Sequence, residues 1–169
     1  IFSYFLFLPV EFKSYLDSVI SSIFFYSNFY FHYSGQAYGQ TILSSKPLLH
    51  TWSLAVEEQF YIFYPIFLIF SIYLLKKNIK ILFYLIILFS LIFASFISEN
   101  HPSFNFYMLF TRSWELMCGA VVALHHLGER KRNYYNLLSY VGFFLIIFSF
   151  IFFDDPHQHP SFLTLIPVF

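Results

Sequence analysis

The sequence predicts an all-α fold: a polytopic membrane helical bundle of about four complete transmembrane helices, with partial helices at both ends. Composition is the first reason, since 59% of the 169 residues are hydrophobic and 25% are aromatic. Only 11% are charged, against about 25% in a typical soluble domain. The other two reasons are long apolar stretches without Asp, Glu, Lys or Arg, and basic residues that cluster between those stretches.

The same composition excludes several classes of protein. The chain is too apolar for a disordered segment. Its nine Lys and Arg balance nine Asp and Glu, so it lacks the basic surplus of a nucleic-acid binder and we expect no nucleic-acid partner. The single cysteine, Cys118, excludes an internal disulfide framework.

The predicted spans follow the rule that about 20 mainly apolar residues cross the hydrocarbon of a bilayer. Their bounds are residues 59–75, 81–98, 111–127 and 133–153. The third span includes Arg112 and Glu115, because its charge-free part alone is too short. Apolar runs at residues 1–10 and 162–169 are predicted partial spans, so the chain is interpreted as an internal fragment of a larger membrane-embedded domain.

The regions beside these spans carry weaker signals. Residues 19–31 are aromatic and favour a short or interfacial helix, whereas residues 33–46 contain Gly, Ser and Gln and favour a loop. Pro65 predicts a kink in the first span. The apolar runs do not alternate with the period of two that a transmembrane barrel requires.

The basic residues predict the orientation of the bundle. Six of the nine lie in two short loops: Lys76, Lys77, Lys80, Arg130, Lys131 and Arg132. Because cytoplasmic loops carry an excess of Lys and Arg, we expect these two loops in the cytoplasm. Residues 33–52, 99–110 and 154–160 are then outside.

One polar cluster opens the first predicted span. It contains His50, Trp52, Ser53, Glu57, Glu58, Gln59 and Tyr61. On one interpretation this is only a well-solvated helix start, with Ser53 as N-cap and carboxylates near the positive end of the helix. On the other, a histidine, a hydroxyl and carboxylates at a membrane boundary supply the groups of general acid–base chemistry.

A second cluster contains Arg112, Trp114 and Glu115. Arg112 and Glu115 are three residues apart, so they can pair on one helix face. A self-neutralised pair that only anchors the helix is one interpretation. The other is a fixed cation that meets an anionic or carbonyl group. The predicted topology places both clusters at the outer face, which favours one shared cavity.

No metal site is predicted. His157 and His159 follow two Asp residues, but no third ligand is placed for them, and a zinc site needs at least three protein ligands.

At the first cluster the sequence resembles a known family. Residues 47–61, PLLHTWSLAVEEQFY, are similar to the signature of the acyltransferase 3 family, and residues 111–120, TRSWELMCGA, resemble its second motif. Residues 27–29 and 160–169 match flanking segments of the same family. Its members are bacterial integral-membrane O-acyltransferases that acetylate lipopolysaccharide O-antigen, peptidoglycan and related glycans.

The resemblance implies several properties of the whole protein. We expect a bacterial inner-membrane O-acyltransferase that moves an acyl group, expected to be acetyl, from acetyl-CoA or another acyl-CoA to a hydroxyl of a cell-surface glycan. No bound cofactor is expected, and the partners are membrane lipid, the acyl-CoA, the glycan and an SGNH-type domain of the full-length protein. The family's catalytic histidine belongs to an earlier helix, so His50 is not assigned that role and the chain alone is expected to be inactive.

Within this chain, the resemblance and the chemistry together predict two groups of residues. Glu57 or Glu58 orients a histidine or the acceptor, and Arg112, held by Glu115, stabilises negative charge. The substrate-binding candidates are His50, Trp52, Ser53, Gln59, Tyr61 and Trp114. A glycan or lipid-linked sugar exporter and a structural membrane scaffold remain the alternatives.

Overall fold

The fold is described from a computed structural model that covers residues 8–34, 46–75, 79–126, 132–152, 160 and 164–168. All regular secondary structure in these ranges is helical, as the sequence predicts. The helices are α1 (Pro9–Ile23), α2 (Ser27–Tyr33), α3 (Thr51–Leu75), α4 (Ile79–Ile97), α5 (Pro102–Tyr107), α6 (Leu109–His126), α7 (Arg132–Phe152) and α8 (Leu165–Val168).

Two of the described helices are long and apolar enough to cross a membrane. They are the stretch Thr51–Tyr73 of α3 and the whole of α4, Ile79–Ile97. The apolar part of α7, Leu137–Phe152, is shorter, and α6 carries Arg112 and Glu115 in its first half. By length and composition the described helices therefore supply two of the four predicted spans.

The first predicted span begins too late in the chain. Helix α3 starts at Thr51 and continues through Glu57, Glu58 and Pro65, whereas the sequence boundary at residue 59 came from excluding charged residues. Carboxylates do not interrupt a helix, so hydropathy alone misplaced this start. Ser53 is not the N-cap either, because it lies within the helix that begins at Thr51; its hydroxyl donates to the carbonyl of His50 at 3.1 Å.

The other predicted spans agree with the helices within about two residues at each end. Predicted residues 81–98 correspond to α4, 111–127 to α6 and 133–153 to α7. At the N-terminal side, Leu8 is extended and a new helix begins at Pro9, so residues 8–10 do not continue the predicted partial span. Residues 1–7 lie outside the described ranges, as do residues 162, 163 and 169; within the second predicted partial span, Leu165–Val168 form α8.

Helix α1 buries serines and exposes both charged and apolar residues. Ser18 and Ser21 are buried, and the hydroxyl of Ser22 lies 2.8 Å from that of Thr51 in α3. The opposite face exposes Ile20 and Ile23, which are 47% and 64% accessible. Glu11, Lys13 and Asp17 of the same helix are exposed as well, so the outer surface of α1 is a mixture of charged and apolar side chains.

Two buried clusters hold the helices around the site. The larger is centred where α2, α3 and α5 meet, and it comprises Phe31, Leu49, Trp52, Val56, Tyr107 and Met108. The smaller joins α4 to α6 through Leu91, Trp114 and Cys118. Within the described residues, the most extensive helix pairing is between α4 and α6. Helix α6 therefore packs mainly on α4, while its first turns face α3 and α5.

Candidate functional site

A small cavity lies between α3 and α6. Its volume is about 60 Å³. The lining residues are Trp52, Ser53, Val56 and Glu57 from α3 and Arg112, Glu115 and Leu116 from α6. The structure therefore brings members of the two polar clusters to one place, although about sixty residues separate the clusters along the chain.

Arg112 is the most closely held charged group of this cavity. Its guanidinium carbon lies 4.6 Å from the ring centroid of Trp52 and 4.9 Å from that of Phe106. Its Nε–H donates to the carbonyl oxygen of Phe106 at 2.8 Å. Only 20% of the side chain is exposed. Aromatic faces attract a guanidinium, so the cation is held by two rings and a hydrogen bond.

The predicted ion pair between Arg112 and Glu115 is present at 3.6 Å between Nη1 and Oε2. This separation is longer than a charge-assisted hydrogen bond, which is usually about 2.7–2.9 Å. The Glu115 side chain is 26% exposed. Glu115 therefore gives Arg112 a nearby counter-charge, while the hydrogen bond from Arg112 to the Phe106 carbonyl, at 2.8 Å, is shorter than this ion pair.

The short helix α5 fixes the orientation of the Arg112 side chain beside the cavity. The last carbonyl groups of any helix lack partners within the helix. In α5, three consecutive carbonyls accept hydrogen bonds from side chains: Asn105 from Thr111 at 2.7 Å, Phe106 from Arg112 at 2.8 Å, and Tyr107 from Asn28 at 3.2 Å. The end of α5 thus ties α2 and α6 together and fixes the direction of Arg112.

Gln59 has a structural role in the described fold. Its amide nitrogen donates to the carbonyl of Phe25 at 2.7 Å and to the side-chain oxygen of Asn28 at 2.9 Å. Asn28 is fully buried. Phe25 has a left-handed backbone, with φ of 56°, and this turn presents the carbonyl to Gln59. Gln59 joins α3 to the α1–α2 turn and does not line the cavity.

The remaining candidates lie away from this cavity. His50 is an exposed residue in the turn before α3, and Tyr61 is 58% exposed on the outer surface of that helix. Trp114 is fully buried against Leu91 and Cys118. Glu58 is partly buried and does not line the cavity, unlike its neighbour Glu57. The roles assigned to these residues from sequence remain predictions.

Sequence reasoning missed Phe106 and Ser90. Phe106 is one of 27 phenylalanines, and its pattern gives no sign of a role beside Arg112. The hydroxyl of Ser90 in α4 donates to the carbonyl of Phe110 at 2.6 Å and accepts from the backbone amide of Trp114 at 3.2 Å. Asn28 lies within the motif segment at residues 27–29, which was the available signal for it.

Within the described part of the chain, no group of three or more His, Cys, Asp or Glu side chains is placed to hold a metal ion. Several residues of the sequence predictions lie outside that part: Lys76, Lys77, Arg130, Lys131, Asp154, Asp155, His157 and His159.

Comparison with protein families gives one match, to a family described as an acyltransferase domain, over residues 1–169. The chain is 31% identical over 149 residues to "Putative peptidoglycan O-acetyltransferase YrhL" of Bacillus subtilis, covering 80% of this chain and 24% of that protein. It is 33% identical over 122 residues to "Peptidoglycan O-acetyltransferase OatA" of Listeria monocytogenes, covering 69% and 20%.

A Haemophilus influenzae protein is 32% identical over 159 residues, covering 87% of this chain and 64% of that protein. The chain thus spans about a quarter of the length of the first of these relatives and a fifth of the Listeria protein. No solved structure matches the chain.

Proposed function

Because the chain belongs to the acyltransferase 3 family, we propose that it is part of a bacterial membrane O-acyltransferase that acetylates a hydroxyl of a cell-surface glycan. Two relatives named as peptidoglycan O-acetyltransferases support the choice of acyl group and acceptor. The proposed donor is acetyl-CoA, which would be a substrate and not a bound cofactor.

The observation that carries this proposal is the shared cavity of Glu57 and Arg112. Acyl transfer to a hydroxyl needs a base that removes the hydroxyl proton and a donor that stabilises the oxyanion formed at the carbonyl carbon. In the proposal, Arg112 meets that oxyanion and Glu115 keeps the arginine charge balanced. Glu57 orients the acceptor or a histidine supplied by another part of the protein, and Ser53 lies beside it.

The geometry favours Glu57 over Glu58 for this role. Neighbouring residues on a helix point about 100° apart, so two consecutive carboxylates need not face the same cavity. Glu57 lines the cavity with Arg112, and Glu58 does not.

The membrane topology is part of the same proposal. Helices α3, α4, α6 and α7 are the four proposed spans of a polytopic inner-membrane protein. The cavity lies near the start of α3 and of α6, the end that the basic residues place outside the cytoplasm. An acceptor glycan outside the cell would reach the cavity from that side, while acyl-CoA is a cytoplasmic compound.

The test uses the full-length protein and compares Glu57→Gln, Arg112→Ala and Glu58→Gln. We expect the first two to reduce ester-linked acetate on purified surface glycan by roughly 100-fold or more, and Glu58→Gln to lose less activity than Glu57→Gln. Acetate released by mild base is measured by mass spectrometry, with protein abundance in the membrane fraction as control. Wild-type acetate levels in both Glu57→Gln and Arg112→Ala would contradict the proposed site.

The same measurement separates the enzyme from the exporter alternative. An exporter moves its substrate without covalent change, so the glycan of a deletion strain would be depleted at the surface yet carry unchanged acetylation per sugar. The proposed transferase predicts normal glycan amounts with the acetyl groups missing.

A further inference from the structure

We propose that Trp52 and Phe106 are positioning residues for Arg112: they hold its guanidinium against the cavity, and Trp52 does not stack on the sugar acceptor. This inference rests on the proposed acyl transfer. It explains, in addition, how Arg112 is kept in one position. The tryptophan of the first motif and a residue outside both motifs then act as one unit with the arginine of the second motif.

The three groups form a compact triangle. The ring centroids of Trp52 and Phe106 are 4.5 Å apart with their planes tilted by 47°. The guanidinium carbon lies 4.6 Å from one centroid and 4.9 Å from the other. The cation therefore lies in the angle between the two rings, where both π faces attract it.

Burial of Trp52 decides between stacking on sugar and holding Arg112. A tryptophan that stacks on a sugar must present an open ring face to solvent before the sugar binds. Trp52 is only 6% exposed, and Phe106 and Tyr107 pack on it with centroids 4.5 and 5.4 Å away. Trp52 borders the small cavity, but protein covers almost all of its surface, so its contribution to chemistry passes through Arg112.

The hydrogen bond to the Phe106 carbonyl also fixes the orientation of the Arg112 guanidinium. Ring contacts alone would let the guanidinium slide or rotate in its plane. The bond from Nε to the carbonyl, at 2.8 Å, fixes one edge, and the carbonyl itself belongs to the end of α5. A lysine would keep the positive charge but has neither the planar face nor an Nε–H, so charge alone cannot reproduce the arrangement.

A preorganised cation matters because stabilising an oxyanion requires a donor already in place when the charge develops. A guanidinium free to move would still attract substrate but would have to be ordered during the reaction. Loss of positioning should therefore reduce kcat, whereas loss of a sugar-stacking surface should raise KM for the glycan.

The experiment measures kcat and KM of the purified full-length protein in detergent micelles, with acetyl-CoA and a soluble peptidoglycan fragment as probes. The variants are Trp52→Leu, Phe106→Leu, Trp52→Phe and Arg112→Lys. Phe104→Leu is the matched control for Phe106→Leu. Both phenylalanines are partly buried, belong to α5 and pack on the larger buried cluster. Phe104 makes its ring contact with His32, at 5.8 Å between centroids.

We expect kcat to fall roughly 10- to 100-fold in Trp52→Leu, Phe106→Leu and Arg112→Lys, with KM for the fragment changed less than about twofold. Trp52→Phe, which restores a ring, should recover most of the lost kcat, and Phe104→Leu should stay near wild type. In an Arg112→Ala background, Trp52→Leu and Phe106→Leu should cause no further loss, because the group that Trp52 and Phe106 position is gone.

Three results would overturn the inference. One is a rise in KM for the fragment with kcat unchanged in Trp52→Leu. Another is a loss in Phe106→Leu no larger than that in Phe104→Leu. The third is that the loss of kcat in Phe106→Leu adds in full to the loss in Arg112→Ala. This result can be obtained even if Trp52→Leu fails to fold. Absence of any acetyl transfer by the wild type would instead contradict the proposed function itself.

Discussion

At the scale of single residues, Gln59 shows how a motif residue can serve the fold. The motif places it beside two glutamates, and its polarity predicted a substrate contact. In the structure its amide nitrogen faces two carbonyl-type oxygens, those of Phe25 and Asn28. One of the two is a backbone carbonyl, which can only accept, so the nitrogen must point toward it.

This geometry predicts that Gln59→Glu destabilises the protein more than Gln59→Ala. Glutamate has the same shape but replaces the donor with an acceptor that faces two other acceptors. We expect Gln59→Ala to cost about 1–3 kcal/mol through the unsatisfied Asn28, and Gln59→Glu to cost more. The free energy of unfolding, from denaturant titration in detergent, measures both. Equal stability of the two variants would contradict the assigned bond.

His32 links α2 to α5 through a hydrogen bond of 3.0 Å between its Nδ1 and the hydroxyl of Ser103. Its ring also packs edge-on against Phe104. Burial disfavours the charged imidazolium and lowers the pKa of His32 below its usual value. The folded state therefore binds the proton more weakly than the unfolded chain, whose His pKa is about 6.5.

The sign of that shift gives a pH prediction. The contribution of His32 to stability is complete above about pH 6.5 and is lost as the pH falls toward the lowered pKa of the folded state. The melting temperature of wild type should thus fall more between pH 7.5 and pH 5 than that of His32→Gln. His101→Gln, at an exposed histidine before α5, is the control and should follow wild type.

At the scale of elements, the start of α6 is shaped by α4. In an uninterrupted α-helix the amide of Trp114 would bond to the carbonyl of Phe110, four residues earlier. The Ser90 hydroxyl bonds to both of these groups. These two hydrogen bonds tie the first turns of α6 to α4, and Arg112 lies between the two bridged positions.

We therefore expect Ser90→Ala to destabilise the pairing of α4 and α6 by about 1 kcal/mol, the net worth of a typical intramolecular hydrogen bond. Ser95→Ala is the matched control on the same helix, because the hydroxyl of Ser95 is buried without a hydrogen-bond partner among the described residues. Denaturant titration of the full-length variants in detergent checks the difference. A loss in Ser95→Ala as large as that in Ser90→Ala would contradict this account.

Helices α1 and α7 show what hydropathy can and cannot predict about an element. The extent of α7 agrees with its predicted span because an apolar run bounded by charges has clear ends. For α1, the buried serines and exposed Ile20 and Ile23 carry the information. Hydropathy averaged along the chain does not reveal which face of a helix is turned inward, so neither the bounds of α1 nor the burial of its serines was predicted.

At the scale of the whole molecule, the proposed topology makes opposite ends of α4 face opposite sides of the membrane. This helix has 19 residues and is about 28 Å long at 1.5 Å per residue, close to the thickness of the hydrocarbon core. Lys80 lies at its beginning, and Glu99 follows its end. Both residues are exposed.

A labelling experiment checks this topology. In the full-length protein with its native cysteines replaced, including Cys118→Ser, we expect Glu99→Cys to react with a membrane-impermeant maleimide in intact cells. Lys80→Cys should react only after the membrane is permeabilised. The reverse pattern would place the cavity of Glu57 and Arg112 on the cytoplasmic side and contradict the proposed access of the glycan.

The sequence by itself determined the helical class, the family, and the bounds of α4, α6 and α7 within about two residues, because each of these depends on patterns within one helix or one motif. It also predicted that both motifs contribute to one site. Only the tertiary structure showed that Glu57 and not Glu58 lines the cavity. It also showed that Gln59 bonds to the α1–α2 turn and that Trp52 and Phe106 pack on Arg112. Those assignments depend on contacts between α3, α5 and α6. Hydropathy and sequence spacing cannot reveal which residues of different helices pack within 5 Å of one another.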